Sequence, residues 1–390
     1  MSGPLVGLKV VDLSRILAGP TMTQILADLG AEVIKIERPG KGDDTRQWGP
    51  PWLKDQDGND TAEAGYYLSA NRGKHSVELD ITTQEGADTV RRMVAEADFF
   101  VENFKVGGLK KYGLDYESLS AINPGLIYLS ITGFGQTGPD AAQPGYDYLI
   151  QARSGLMSIT GDVDGGPMRV GVGICDLQTG LMGGIGVLAA LYHREKAGEG
   201  QHIDIALLDT QVAMLVNQGF NYLVTGKAPG RTGAWHPNLA PYQPFPTATD
   251  DIIIAVGNDS QFIDMCRVMN LPDLASDERF KTNPLRNINR DALADLIAKR
   301  SVEQPAAHWL KVLPANNVPA CPINDIAQTF ADEQIKARGV RLELDHPIAG
   351  KVPGIANPLK FSKTPIEYKK GPPVLGEDTE AVLERYGGKG

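Results

Sequence analysis

One carboxylate stands among residues that favour chemistry. Asp176 closes the run Arg169-Val-Gly-Val-Gly-Ile-Cys175 and opens Leu177-Gln-Thr-Gly180. Aspartate is a preferred N-cap for a following helix, and a helix N-terminus favours its ionised form. An ionised aspartate can also serve as a covalent nucleophile, and the flanking glycines would let a substrate carbonyl come close. Capping and attack are compatible, so both readings stand.

A second constellation is cationic. Lys35 and Arg38 follow one strand pattern, Arg72 and Lys74 lie in Asn71-Arg-Gly-Lys74, and Lys105, Lys110 and Lys111 come after another strand. Strand ends and the loops after them are where open α/β sheets bind ligands. Singly these are ordinary solvated charges; together, in an acidic chain, they suggest a surface for a phosphorylated cofactor. Other chemistries lack their signatures. There is no G-x-S-x-G elbow, no G-x-x-x-x-G-K-[ST] loop, and no H-x-x-x-H pair among six histidines, so no metal is expected. Gly184-Ile-Gly186-Val-Leu-Ala189 fits a loose dinucleotide pattern but sits inside a helical run, where glycines serve packing.

The elements that must position these residues alternate. Leu8–Leu13, Ala31–Glu37, His75–Ile81, Phe99–Val101 and Leu126–Ile131 read as strands. Helical spacing runs over 21–29, 83–97 and 116–122 between them. That pattern means β-α-β crossovers and a mostly parallel sheet. Residues 133–175 read as glycine- and proline-rich loops, followed by a helix over 177–196, a strand over 201–207 and a helix over 208–224. Gly226–Gly233 reads as a linker into a smaller α/β unit. The expected organisation is a large domain over 1–225, a smaller one over 226–334, and a segment 335–390 that returns to the first.

The 390 residues carry 38 basic and 48 acidic side chains, a net charge of -10. That balance argues against nucleic acid or an anionic membrane as partner. Three scattered cysteines suit a reducing compartment rather than a disulfide framework. No signal-peptide pattern and no 18-residue apolar run is evident, so a cytoplasmic setting is expected.

Several stretches together carry a resemblance. They are Leu5-x-Gly-Leu-Lys-Val-Val-Asp-Leu-Ser14, Ala18-Gly-Pro20, Leu29-Gly-Ala-Glu-Val-Ile-Lys-Ile-Glu-Arg-Pro39, Gly42-Asp-Asp-Thr-Arg46, Val101-Glu-Asn-Phe104, Ser130-Ile-Thr-Gly-Phe-Gly-Gln-Thr-Gly-Pro139, Gly171-Val-Gly-Ile-Cys-Asp-Leu-Gln-Thr-Gly180 and Gly198-Glu-Gly-Gln201. With them the chain resembles the family III CoA-transferases, the formyl-CoA and carnitine CoA-transferase group. Asp43-Asp-Thr-Arg-Gln-Trp-Gly-Pro-Pro51 and Ala240-Pro-Tyr-Gln-Pro-Phe245 look most like the branch using succinate, glutarate and hydroxymethylglutarate.

The resemblance implies an α/β fold with a Rossmann-like large domain, a smaller domain, and an intertwined homodimer of ring-like chains. It implies that Asp176 is the nucleophile and coenzyme A, as acyl-CoA, a substrate rather than a resident cofactor. CoA contacts are implied at Ile16, Leu17, Arg38, Asn71, Arg72, Lys74, Asn103 and Lys111, where Lys111 replaces an arginine of some relatives. The implied reaction moves CoA from an acyl-CoA, succinyl-CoA foremost, to a free dicarboxylic acid through aspartyl anhydride and aspartyl-CoA thioester intermediates. Arg46 and His236 are the candidates to hold the acceptor's second carboxylate, although Arg46 could instead pair with its neighbouring aspartates. Related racemases use a histidine where Gly145-Tyr-Asp-Tyr148 places Tyr146, which joins the substrate-side candidates. A 2-methylacyl-CoA racemase and a non-catalytic CoA-binding protein are the alternatives.

Overall fold

Short apolar runs in a computed structural model, which describes residues 3–387, form six strands. They are β1 (Lys9–Asp12), β2 (Glu32–Glu37), β3 (Lys74–Glu78), β4 (Phe99–Glu102), β5 (Ile127–Thr132) and β6 (Gln201–Ala206). All pair in parallel, in the spatial order β3-β2-β1-β4-β5-β6. Every residue of β4 is buried, as a strand covered on both faces requires.

The covering helices form two apolar layers. On one face Met22 and Leu26 of α1 (Ala18–Asp28) share a core with Phe99, Val101 and Leu129. On the other, Val90, Met93 and Val94 of α2 (Gln84–Val94) and Leu119 of α3 (Tyr116–Ile122) pack with Phe100 and Tyr128. A short helix, α4 (Asp147–Arg153), lies within the stretch expected to be loops; with seven residues it is too brief to show a clear period.

Helix α5 (Ile174–Ala197) packs on α1 through its glycines. A Cβ on Gly180 would stand 2.6 Å from the Ala18 carbonyl oxygen, so only glycine permits that approach. By length and mean hydropathy α5 could cross a membrane, although Gln178 and Thr179 interrupt its apolar run and one face of it is buried in the core. The expected helix over 208–224 is two helices, α6 (Leu207–Ala213) and α7 (Val216–Thr225), broken where Val216 takes a φ of +42°.

Residues 334–390 belong to the large unit, with residues 1–156 and 169–227. Among them, the Asp378 carboxylate accepts from the Ser76 backbone N–H at 3.0 Å and fixes the chain end to the edge strand β3. The smaller unit comprises residues 157–168 and 228–333, so it also takes a segment expected in the large domain. Its three strands, β7 (Tyr242–Phe245), β8 (Ile252–Ala255) and β9 (Ala320–Pro322), are antiparallel rather than crossover-linked. Phe262, Met265 and Trp309 fill its core.

Candidate active site

In the large unit, strand order reverses between β1 and β4, because the chain moves outward from β1 to β3 and then returns to β1's other side. The loops leaving β1 and β4 therefore diverge and leave a crevice at the strands' C-terminal ends. A cavity of about 400 Å³ lies there, lined by Ile16 and Leu17 from the first loop and Asn103 and Lys111 from the second. Tyr146, Asp147 and Asp176 complete its wall.

Asp176 is the third residue of α5, and Gly173 rather than Asp176 is the N-cap. Its carboxyl is partly buried, and no hydrogen-bond donor reaches it among the described residues. Burial, and after it the neighbouring Asp147 carboxylate, push its pKa up to about 7. The helix terminus was expected to keep this group readily ionised; desolvation outweighs that effect. The result is a poorly solvated carboxylate that ionises near neutrality, a suitable nucleophile for an acyl carbon.

The segment that presents Asp176 is held by two side chains. Asp147 accepts from the Cys175 backbone N–H at 2.8 Å and from Gln151 Nε2 at 2.7 Å. Gln151, fully buried, accepts from the Val170 N–H at 2.8 Å. A Cβ on Gly173 would stand 2.9 Å from Leu17 Cδ2 and 3.7 Å from Asp176 Oδ2. Glycine at that position thus lets the loop after β1 close on the helix start.

A second cavity, of about 470 Å³, is lined by Arg38, Lys41, Gly42, Leu79 and Ile81. Arg15 and Phe104 line both cavities. Arg15 went unnoticed in the sequence, although its place directly after β1 at the strand-order reversal was a usable signal. Its Nη1 donates to Asp44 Oδ2 at 2.6 Å, and its buried Nε has no partner among the described residues. Arg38, half exposed, donates to Asp44 Oδ1 at 2.5 Å. Asn103 binds the first loop by its backbone, accepting from Arg15 N at 3.0 Å and donating to Arg15 O at 2.7 Å.

Other expected site residues lie elsewhere. Arg46 is buried and donates to Glu37 from Nε and Nη2, both at 2.8 Å, with Glu63 at 3.4 Å from Nη1. It pairs with these glutamates rather than its adjacent aspartates, and it is not at the Asp176 cavity. Lys74 is fully buried; its ammonium donates to Asn71 Oδ1 at 2.8 Å, the Pro20 carbonyl at 2.9 Å and Asp12 at 3.3 Å. Arg72 clasps Asp28 at 2.6 Å and 2.8 Å. Neither cavity wall includes Asn71, Arg72 or Lys74, whose side chains are held in buried contacts; Arg72 and Asp28 line a separate cavity instead. Lys35 is buried against Asp43, and both line the second cavity. His236 belongs to the smaller unit, where its Nδ1 accepts from Asn238 N at 3.1 Å. No group of three or more side chains able to hold a metal ion occurs among the described residues.

An unpaired carboxylate beside a cation-bearing cavity suits acyl chemistry on a phosphorylated carrier, and known proteins similar to this chain are CoA-transferases. The succinate–glutarate CoA-transferase of Agrobacterium fabrum is 49% identical over 380 residues, covering 97% of this chain and 95% of that protein. The succinyl-CoA:glutarate CoA-transferase of Homo sapiens is 43% identical, covering 98% and 85%. The crystal structure of a CAIB/BAIF family protein from Brucella suis superposes with a TM-score of 0.88 at 48% identity, over 99% of this chain and all of that one. The model of CoA-transferase family III matches residues 5–379. The chain belongs to CoA-transferase family III and is a CoA-transferase.

Proposed function

We propose that this enzyme moves CoA from succinyl-CoA to a free dicarboxylate of the glutarate type, with Asp176 as the covalent carrier. The carrying observation is the Asp176 carboxylate itself: unpaired, partly buried, and on the wall of a cavity large enough for a thioester and a small acid. The glutarate-directed activities of relatives at 43% and 49% identity support the choice of acids.

In the first step Asp176 attacks the thioester carbonyl, the C–S bond breaks, and CoA thiolate leaves with the electron pair. The product is a mixed anhydride. The thiolate then attacks the aspartyl carbonyl, releasing the donor as carboxylate and leaving an aspartyl-CoA thioester. The acceptor carboxylate attacks that carbonyl and displaces the thiolate, which finally attacks the acceptor's acyl carbon and frees Asp176. No proton is gained or lost overall, so Asp176 needs no general-base partner; it needs only to be ionised. Excluding water matters more, because hydrolysis of the anhydride would discard the thioester's free energy.

The two cavities sharing Arg15 and Phe104 favour one orientation of the substrate. Phosphates of the CoA nucleotide would meet Arg38, with Arg15 between the cavities. The pantetheine arm would run past Ile16, Leu17, Asn103 and Lys111 toward Asp176. Tyr146, 56% exposed at the cavity edge, is assigned to the acyl side. Asn71, Arg72 and Lys74 act by holding β3 and its loop, while His236 remains the candidate for the acceptor's distal carboxylate. Among the described residues no histidine lines the Asp176 cavity, which disfavours racemisation. The strand order β3-β2-β1-β4-β5-β6 supports a Rossmann-like reading of the large domain. Leu181, Ile185 and Tyr192 on α5, with Phe220 and Leu223 on α7, are all more than half exposed, which supports a homodimer that covers them.

The test combines turnover with trapping. Wild-type enzyme with succinyl-CoA and a panel of acids should make glutaryl-CoA by mass spectrometry, and hydroxylamine should leave a hydroxamate on Asp176. Asp176→Ala should lose at least about 10³-fold in turnover while still binding CoA. Substantial turnover by that variant, or a hydroxamate elsewhere, removes the covalent role.

A further inference from the structure

Ile16, on the wall of the Asp176 cavity, has a φ of +74°. Left-handed backbone is uncommon for any residue but glycine, and for a β-branched side chain it is a true outlier. Such strain persists only where the surroundings over-determine it, and it clusters at functional sites. The surroundings here do so residue by residue. The Ser14 carbonyl accepts from Lys35 Nζ at 2.8 Å. Arg15 is held at both its N–H and its carbonyl by Asn103. The Ile16 N–H donates to both oxygens of Asp43, each at 3.2 Å.

Asp43 is itself fixed on every side. It is buried, accepts from Lys35 Nζ at 2.9 Å and from Thr45 N and Oγ1 at 3.0 and 2.8 Å, and its own N–H donates to Glu37 at 2.8 Å. None of these atoms lines the Asp176 cavity, although Lys35, Glu37 and Asp43 lie on the wall of the second one; they decide the path of the loop that runs between the two. One residue beyond Ile16, Leu17 closes on Gly173 at the start of the helix that bears Asp176.

We propose that Asp43, held by Lys35, is a positioning residue for CoA binding: it locks Ile16 in the left-handed conformation that sets the cavity wall beside Asp176. The inference rests on the reading of that cavity as the CoA site. It explains why a lysine–aspartate pair is buried directly behind a substrate-facing loop, where a packed apolar pair would be no less stable.

The test uses glycine as a suppressor, because glycine takes a φ of +74° without strain. Asp43→Ala alone strands the buried Lys35 charge and could fail to fold, so Lys35→Met/Asp43→Ala is the working background. Calorimetric titration of CoA reads the effect without depending on turnover. CoA affinity should fall about tenfold or more in the double variant, as Ile16 relaxes. Adding Ile16→Gly should recover most of that loss, while the thermal midpoint, which reports the lost buried pair, should not recover. A structural role alone would move the midpoint and leave CoA affinity insensitive to Ile16→Gly. Unchanged CoA affinity in the double variant, or a loss that glycine does not relieve, overturns the proposal. Wild-type protein that fails to bind CoA would instead overturn the reading of the cavity.

Discussion

Two groups of carboxylates in the large unit share burial and differ in their partners. Asp12, Glu37 and Asp43 lie at or just beyond the C-terminal ends of β1 and β2 and are buried. Burial alone would raise their pKa values, but Lys74 and Lys35 beside Asp12, Arg46 beside Glu37, and Lys35 beside Asp43 hold all three below the usual range. Asp43 sits at about 2. Asp176 is also desolvated, yet its nearest charged neighbour is another carboxylate, and its pKa rises to about 7. The same residue type therefore does opposite work. A paired carboxylate gives up reactivity for geometry, and an unpaired one keeps its lone pairs for a substrate. Which cations are consumed in pairs decides which remain for phosphate.

Arg46 offers the largest break of this comparison. Arg46→Met would leave Glu37 buried beside Ser76 and Tyr67 without its guanidinium. Removing one partner of a buried pair costs about 3–5 kcal/mol, so urea denaturation should show a much lower midpoint. The sign with pH follows from the depressed Glu37 pKa. The stabilisation from this pair is present above the ordinary glutamate range and is lost as pH falls through the lower folded value, so wild type and variant should converge in acid. KM values for glutarate and butyrate should both stay near wild type in the folded enzyme. A rise for the dicarboxylate alone would return Arg46 to the acceptor site and break the distinction between paired and working groups.

Arg38 supplies the converse case. It is half exposed on the wall of the second cavity, and its ion pair with Asp44 is of the surface kind. Such a pair contributes about 0–1 kcal/mol, so Arg38→Ala should hardly move the thermal midpoint. It should weaken CoA about tenfold through a lost phosphate contact, while a truncated pantetheine thioester, which lacks the nucleotide, should bind as before. Equal losses for both ligands would make Arg38 a solvated surface charge and shift the phosphate contact to Arg15 or Lys41.

The sheet was readable because its strands are short apolar or alternating runs and crossover helices such as α2 show a 3.6-residue period. The position of Asp176 at the head of a helix was readable too, since an acid between a glycine-rich run and a helical pattern marks such a start. The cations were not. Lys35, Arg38, Arg46, Arg72 and Lys74 look alike in a sequence, and only the folded chain separates Arg38 at a cavity wall from Lys74 among Asn71, Asp12 and the Pro20 carbonyl. Pairing is set by loops far apart in sequence: Asp12 lies 62 residues from Lys74, and Asp28 lies 44 from Arg72. Local pattern carries no trace of such contacts. The strain at Ile16 was hidden for a related reason, because an isoleucine before a helix gives no hint that an aspartate 27 residues on accepts its N–H. The glycines around Asp176 suggested a yielding loop. The structure instead mounts that segment on Asp147 and Gln151, from a short helix the pattern did not reveal.

The smallest expected effect tests whether Asp147 tunes Asp176 as well as holding it. Asp176 must be ionised to attack, so kcat/KM for succinyl-CoA should fall as pH drops below about 7, the value to which burial and then Asp147 raise it. Asp147→Asn keeps a carbonyl oxygen to accept the Cys175 N–H and removes the negative charge. It forfeits the carboxylate's bond from Gln151, a charge-assisted contact that contributes about 1.5–3 kcal/mol. With the like charge gone, ionised Asp176 is easier to form, and the acidic limb should move to lower pH. Burial, the larger cause, remains and keeps the limb above the ordinary aspartate range. The variant should therefore lose more of its relative activity at pH 5 than at pH 6, and should outpace wild type in relative terms between them. Tyr66, whose own pKa is raised by burial and then by Asp176 and Asp147, stays neutral throughout this range and does not compete. An unmoved limb with uniformly lower activity would leave Asp147 as a mount alone, and desolvation as the sole cause of the Asp176 shift.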